Sequence, residues 1–74
     1  MSRVAPLPVA HGRVVHYDDH RGLGEVEDRD GRRVPFHCTA IADGTRTIAV
    51  GAEVVFRVVT GPVGTEEAAE LRPA

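Results

Sequence analysis

Nine arginines, four histidines, one tyrosine and one cysteine hold most of the chemistry available to this 74-residue chain. There is no lysine, so every side-chain cation is a planar guanidinium. Such a group pairs with phosphate through two parallel hydrogen bonds or lies flat on a base. Arg13 stands just before Val14-Val15-His16-Tyr17, and Arg21 just before Gly22-Leu23-Gly24. His16, Tyr17 and His37 are planar and can stack on bases, though histidine does so less well than tryptophan. Each has a plainer reading as well. Arginine-only usage also follows from a GC-rich coding bias, which favours Ala, Gly and Val too. Arg21 reads equally well as a solvated charge beside Asp18 and Asp19, and Arg13 as an ordinary surface cation. The two histidines fit partly exposed polar positions, and the Tyr17 ring could instead pack into the rim of the core.

Metal binding and catalysis find less support. Zinc ligands come in pairs at characteristic spacings. His16, His20, His37 and Cys38 show no such pairing, and His37 and Cys38, neighbours in an extended segment, point to opposite faces. Cys38 reads as a small buried hydrophobe. No nucleophile lies in a known motif and no glycine-rich loop has phosphate-cradle spacing. The sequence therefore points away from an enzyme, a bound metal or a cofactor.

The bulk numbers set the frame. A chain of 74 residues makes one domain and a small core. Twelve Val, two Ile and five Thr against three Leu favour pleated sheet over helix. The net charge of −2 supplies no overall attraction to a phosphate backbone, so any such contact must be local. A single cysteine cannot form an internal disulfide, which suits a reducing cytoplasm. The apolar runs are too short to span a bilayer. Residues 1–9, with Pro6 and Pro8, read as a flexible arm preceding a domain over 10–72.

Five short strands follow along the chain. The first spans Gly12–Tyr17 and the second Gly22–Glu27, with Gly22, Gly24 and Val26 on one face and Leu23, Glu25 and Glu27 on the other. Asp30-Gly31 suits a tight hairpin turn. Arg32–Cys38 is the third strand, with Val34, Phe36 and Cys38 inward, and Pro35 marks it as an edge or an irregular strand. Residues 39–44 read as a turn with a loop of 3₁₀ helix. Glu53–Val59 places Val54, Phe56 and Val58 inward, and its outward Val55 and Val59 suggest cover on both sides. Glu67–Leu71 reads as a short last strand, with a helix over 65–71 as the competing reading. Together these elements predict an all-β fold, a small five-stranded antiparallel barrel whose closure removes exposed edges.

The ordered blocks Gly12-Arg-Val-Val-His-Tyr17, Arg21-Gly-Leu-Gly-Glu-Val26, Val34-Pro-Phe-His-Cys-Thr-Ala-Ile41, Gly51-Ala-Glu-Val-Val-Phe-Arg-Val58 and Glu67-Ala-Ala-Glu-Leu71 resemble the cold-shock domain family. That family is a five-stranded barrel of the oligonucleotide-binding type. Its pattern runs Gly-x-Val-Lys-Trp-Phe, Lys-Gly-Phe-Gly-Phe-Ile, Val-Phe-Val-His-Phe-Ser-Ala-Ile, Gly-x-x-Val-x-Phe-x-Val and Gly-x-x-Ala-x-Asn-Val. The resemblance covers about residues 10 to 72 and implies single-stranded RNA or DNA binding, as an RNA chaperone or in transcription or translation regulation.

The departures fall on the rings. His16 stands for the family Trp, Tyr17 for the adjacent Phe, Leu23 and Glu25 for two Phe, and Pro35 and Cys38 for two more. His37 matches the family His, which favours a binding role for it, and Arg21 keeps the basic position. Stacking on an aromatic ring is worth about 1–3 kcal/mol per base. Losing three or four rings removes roughly 3–12 kcal/mol if nothing replaces them, though such terms do not simply add. The resemblance thus implies weak, salt-dependent binding through Arg13, His16, Tyr17, Arg21, Leu23, Pro35 and His37. The alternative is a protein-interaction module or homodimer that keeps the barrel and has lost nucleic acid, its face built on Leu23, Pro35 and His37 beside Glu25 and Glu27.

Overall fold

The computed structural model describes residues 9–44, 47–61 and 64–74. The strands are β1 (Ala10–Asp18), β2 (Leu23–Asp28), β3 (Arg33–His37), β4 (Glu53–Thr60) and β5 (Glu66–Pro73), with one 3₁₀ turn over Cys38–Ala40. All neighbours in the order β3-β2-β1-β4-β5 run antiparallel. The expected arm, apart from Val9, lies outside the described residues.

The sheet curls until its outer strands meet. Ile41 bridges Leu71 in parallel, and the Ala42 N–H donates to the Leu71 carbonyl at 2.9 Å. At the other end of this seam the Arg32 guanidinium meets the Glu66 carboxylate. Curling turns one side chain of every two inward. Val14, Val26, Val34, Phe36, Val54, Phe56 and Leu71 are each at most 2% exposed. Each such side chain contributes about 1.5–3 kcal/mol by leaving water. No polar or charged side chain is buried among the described residues.

Two glycines make the tight curl possible. A Cβ on Gly12 would sit 2.1 Å from the Glu27 carbonyl oxygen. One on Gly24 would sit 2.6 Å from both the His16 carbonyl oxygen and the Phe36 ring. The strands therefore approach more closely than any side chain at these positions allows.

Several expectations change in detail. Gly22 is buried but ends the β1–β2 turn with φ 71° instead of starting a strand. The β2–β3 connection is a three-residue loop: the Gly31 N–H donates to the Asp28 carbonyl at 3.0 Å, and Gly31 takes the left-handed position at φ 84°. Asp30 does not share the positive φ that a two-residue Asp-Gly turn requires. Cys38 leaves β3 and begins the 3₁₀ turn, still buried. Residues 66–73 form a strand, which excludes the helix.

Val58 is 37% exposed instead of inward, and Val59 is equally exposed instead of covered. The alternation itself holds, since Val58 pairs with buried Ala68. Among the described residues, however, β1 accompanies β4 only from Ala10 opposite Phe56 to Arg13 opposite Glu53. Past Phe56 no described residue of β1 pairs with β4.

Pro35 sits where the fold tolerates it. The Cys38 N–H donates to the Gly22 carbonyl at 2.7 Å, and the Arg32 carbonyl accepts from Asp28 N–H at 2.9 Å. Backbone polarity alternates along an antiparallel strand, so even-numbered positions of β3 face β2. The N–H that proline lacks would have pointed to the open side, as the edge reading requires.

Candidate nucleic-acid interface

The outward side chains of β1, β2 and β3 form three rows set by strand register. Asp18, Leu23 and His37 make the first, His16, Glu25 and Pro35 the second, and Arg13, Glu27 and Arg33 the third. None of the nine is buried, and none is Phe, Tyr or Trp. Of the predicted site residues, Arg13, His16, Leu23, Pro35 and His37 share this face. Arg21 lies in the turn at its first row and is exposed. Arg13 stands two rows from His37, so these residues make a band across the sheet.

Tyr17 does not join them. It pairs with Gly24, which pairs with Phe36, on the inner side of the sheet. The Tyr17 and Phe36 rings stack with centroids 5.7 Å apart and planes 3° from parallel, above the space where glycine lacks a side chain. The cause is a bulge: Val14 pairs with Val26 but His16 with Glu25, so Val15 is an extra residue in β1. Strict alternation from inward Val14 would send His16 in and Tyr17 out. The extra residue reverses both, and Tyr17 becomes a rim ring of the core.

The turns that hold the face are fixed by aspartates. Asp18 Oδ1 accepts from the backbone N–H of His20 at 3.1 Å and of Arg21 at 3.2 Å. Asp28 Oδ1 accepts from the N–H of Asp30 and of Arg32, both at 2.9 Å. Each carboxylate satisfies two turn donors and sets where the next strand begins.

His37 is held by its own turn. Its Nδ1 accepts the Thr39 backbone N–H at 3.4 Å and lies 3.2 Å from Thr39 Oγ1. A backbone N–H can only donate, so the acceptor role falls to Nδ1 and the ring proton to Nε2. His37 therefore presents an N–H to the surface.

Electrostatically the face is mixed. Arg33 lies between two carboxylates, Nη1 at 3.8 Å from Glu25 and Nε at 3.5 Å from Glu27. All three side chains are well solvated, so each contact is worth no more than about 1 kcal/mol. Glu25, in the centre of the grid, sets a carboxylate where a phosphate or base edge would approach. No group of three or more His, Cys, Asp or Glu side chains among the described residues converges as metal ligands would.

One part of the surface was not legible in the sequence. Beside the first two rows, at the seam between β3 and β5, a groove is lined by Leu23, Pro35, His37 and Thr39 from one side. Thr65 and Glu67 line it from the other. Those two residues lie far from His37 along the chain, and only the closure of the barrel brings them together.

Comparison with known proteins agrees with this architecture. The model of the family described as 'Cold-shock' DNA-binding domain matches residues 10–73. Cold shock protein CspB of Bacillus caldolyticus is 36% identical over 58 residues, covering 77% of this chain and 88% of the relative. Cold shock-like protein CspD of Bacillus cereus matches with the same identity and coverage. No helix among the described residues is long and apolar enough to cross a membrane. With its five antiparallel strands in this order and a family match over nearly the whole length of the barrel, the chain belongs to the cold-shock domain family.

Proposed function

We propose that this barrel binds single-stranded nucleic acid through the outward face of β1–β3, with lower affinity than a ring-bearing face would give. Membership of the family supports nucleic-acid binding in general. The observation that carries the finer reading is the register of the nine outward positions, which gathers Arg13, His16, Leu23, Pro35 and His37 on one surface with Arg21 at its border. Arg13 and Arg21 supply contacts to phosphate, His16 and His37 supply planar groups, and Leu23 and Pro35 form an apolar platform. Arg13 is flanked in register by Glu27 and Glu53, which offset part of its charge. Affinity then depends on few charge contacts and falls with salt according to their number.

The test is a titration of isotopically labelled protein with a pyrimidine-rich oligonucleotide at low salt. Amide shifts should move at His16, Arg21, Leu23 and His37, and the affinity should drop on raising the salt. Unmoved signals at those positions would sink the reading. The other reading, a protein-binding or self-associating module, finds an observation in Leu23, which is 46% exposed in the first row. It predicts a concentration-dependent mass in sedimentation and no oligonucleotide shifts.

A further inference from the structure

Two arginines converge on one point of the β4–β5 wall. Val55 pairs with Arg72 and Arg57 with Ala69, so β5 holds one residue more than β4 between the two pairs. That bulge brings Glu70 to the surface between Ala69 and buried Leu71, with φ at 56°. Its Oε1 lies 3.5 Å from Arg57 Nε and 3.8 Å from Arg72 Nη2. Both contacts are longer than a charge-assisted hydrogen bond, which closes to about 2.7–2.9 Å. The three side chains are between 41% and 62% exposed, so the carboxylate is loosely held. A left-handed backbone is unfavourable for a side chain, and contacts so exposed contribute little against it. Stability of the fold does not account for this arrangement. Beside the three charged groups lies a cavity of about 230 Å³, with Val9, Val55 and Phe56 as its apolar wall. Among the described residues no second carboxylate lines it, so two guanidinium groups and one carboxylate leave it a net positive charge.

We propose that this cavity is a binding site for a phosphate monoester. Glu70 Oε1 marks where an anionic oxygen sits between the two guanidinium groups. Glu70 engages Nε of Arg57 and one Nη of Arg72, so each guanidinium keeps further N–H donors for a second anion. A monoester brings close to two negative charges and three oxygens on a tetrahedron, so it meets two planar forks from different directions. A carboxylate brings one charge and two oxygens in a single plane. The cavity is smaller than the roughly 300–1,000 Å³ of small-molecule sites, so it admits the phosphate and the carbon that carries it but not a whole nucleotide. Val9 and Val55 give that carbon its apolar contact. A small free ester and the phosphorylated end of a strand offer the same group. The site lies outside β1–β3 and does not depend on what that face binds.

The experiment titrates the isotopically labelled full chain with methyl phosphate at constant ionic strength and follows the side-chain Nε–H signals of Arg57 and Arg72. Both should shift and saturate together, while acetate at the same ionic strength leaves them in place. Glu70→Gln keeps the shape and removes the competing charge, so methyl phosphate should bind about threefold tighter. Arg72→Gln should weaken binding by about the same factor. An oligothymidine of seven nucleotides, with and without a 5′-phosphate, separates the sources. Movement with the phosphorylated strand alone assigns the site to strand ends, and movement with methyl phosphate but neither strand assigns it to a free ester. Signals that stay in place with methyl phosphate and with the phosphorylated strand overturn the site. So does equal movement with acetate or with the unphosphorylated strand, unchanged affinity in Arg72→Gln, or weaker binding in Glu70→Gln. Shifts at His16 and Arg21 report on the β1–β3 face separately, so the two readings fail independently.

Discussion

The inner and outer faces of β1–β3 alternate along each strand except at the Val15 bulge, yet they obey different physics. Inward, Val14, Val26, Val34 and Phe36 are sealed within a couple of per cent of full burial. Outward, the neighbours of these same residues are two arginines, three carboxylates, two histidines, a leucine and a proline. The inner face tolerates almost no change of volume, because strand spacing at Gly12 and Gly24 is set by direct contact. The outer face is constrained by little except solubility and whatever it binds. A barrel can therefore keep its shape while its binding surface is rewritten, since the two sets of side chains share a backbone and almost no contacts.

The contrast can be broken most decisively from inside. Gly24→Ala drives a methyl group into the His16 carbonyl and the Phe36 ring. It should cost about 3 kcal/mol, toward the upper end for overpacking, read as a lower urea midpoint. Full retention of stability would show that the strands slide apart freely and that the inner face is not sealed.

Next in size is a change on the outer face. Glu25→Phe restores a ring at the centre of the grid and removes a carboxylate. Oligonucleotide affinity should rise by about 1–3 kcal/mol, the worth of one stacked base, while stability moves by no more than about 0.5 kcal/mol. A gain of stability without a gain in affinity would mean that this surface is not the one that binds.

A smaller effect belongs to β5. Glu70 is the one non-glycine residue with positive φ among those described, at 56°, where two residues of β5 oppose Phe56. A side chain in that region costs about 1 kcal/mol. Its carboxylate lies 3.5 Å from Arg57 and 3.8 Å from Arg72, both exposed contacts of little worth. Glu70→Gly should therefore raise stability by about 0.5 kcal/mol. The family pattern has Asn at this position, a residue that accepts the left-handed region more readily.

The smallest is Arg32→Ala, which removes the Glu66 partner at the seam. It should cost less than about 0.5 kcal/mol, because the pair is exposed and the parallel bridge at Ile41 remains. A larger loss would show that the seam is held by charge and not by the core beneath it.

The fold was readable because inward residues alternate over most of every strand and the turns carry Gly and Asp where geometry demands them. The family blocks added the order of the pieces. What could not be read depended on contacts between distant segments. No residue type announces the bulge at Val15, yet it moves Tyr17 from the outer face to the rim. Val58 follows the inward pattern and is nonetheless exposed, beyond the last described pairing of β1 with β4. Thr65 and Glu67 carry no motif, and they reach His37 only through the closure of the sheet.

The ring pair at the rim has a practical consequence. Tyr17 is the lone tyrosine and the chain has no tryptophan, so near-ultraviolet absorption and emission come almost wholly from one phenol. Because that phenol lies flat on Phe36 across the β1–β2–β3 junction, its circular dichroism is an intrinsic optical gauge of the packing of these three strands. Unfolding can be followed at this single chromophore without a label, and an oligonucleotide bound on the opposite side of the sheet leaves it in place.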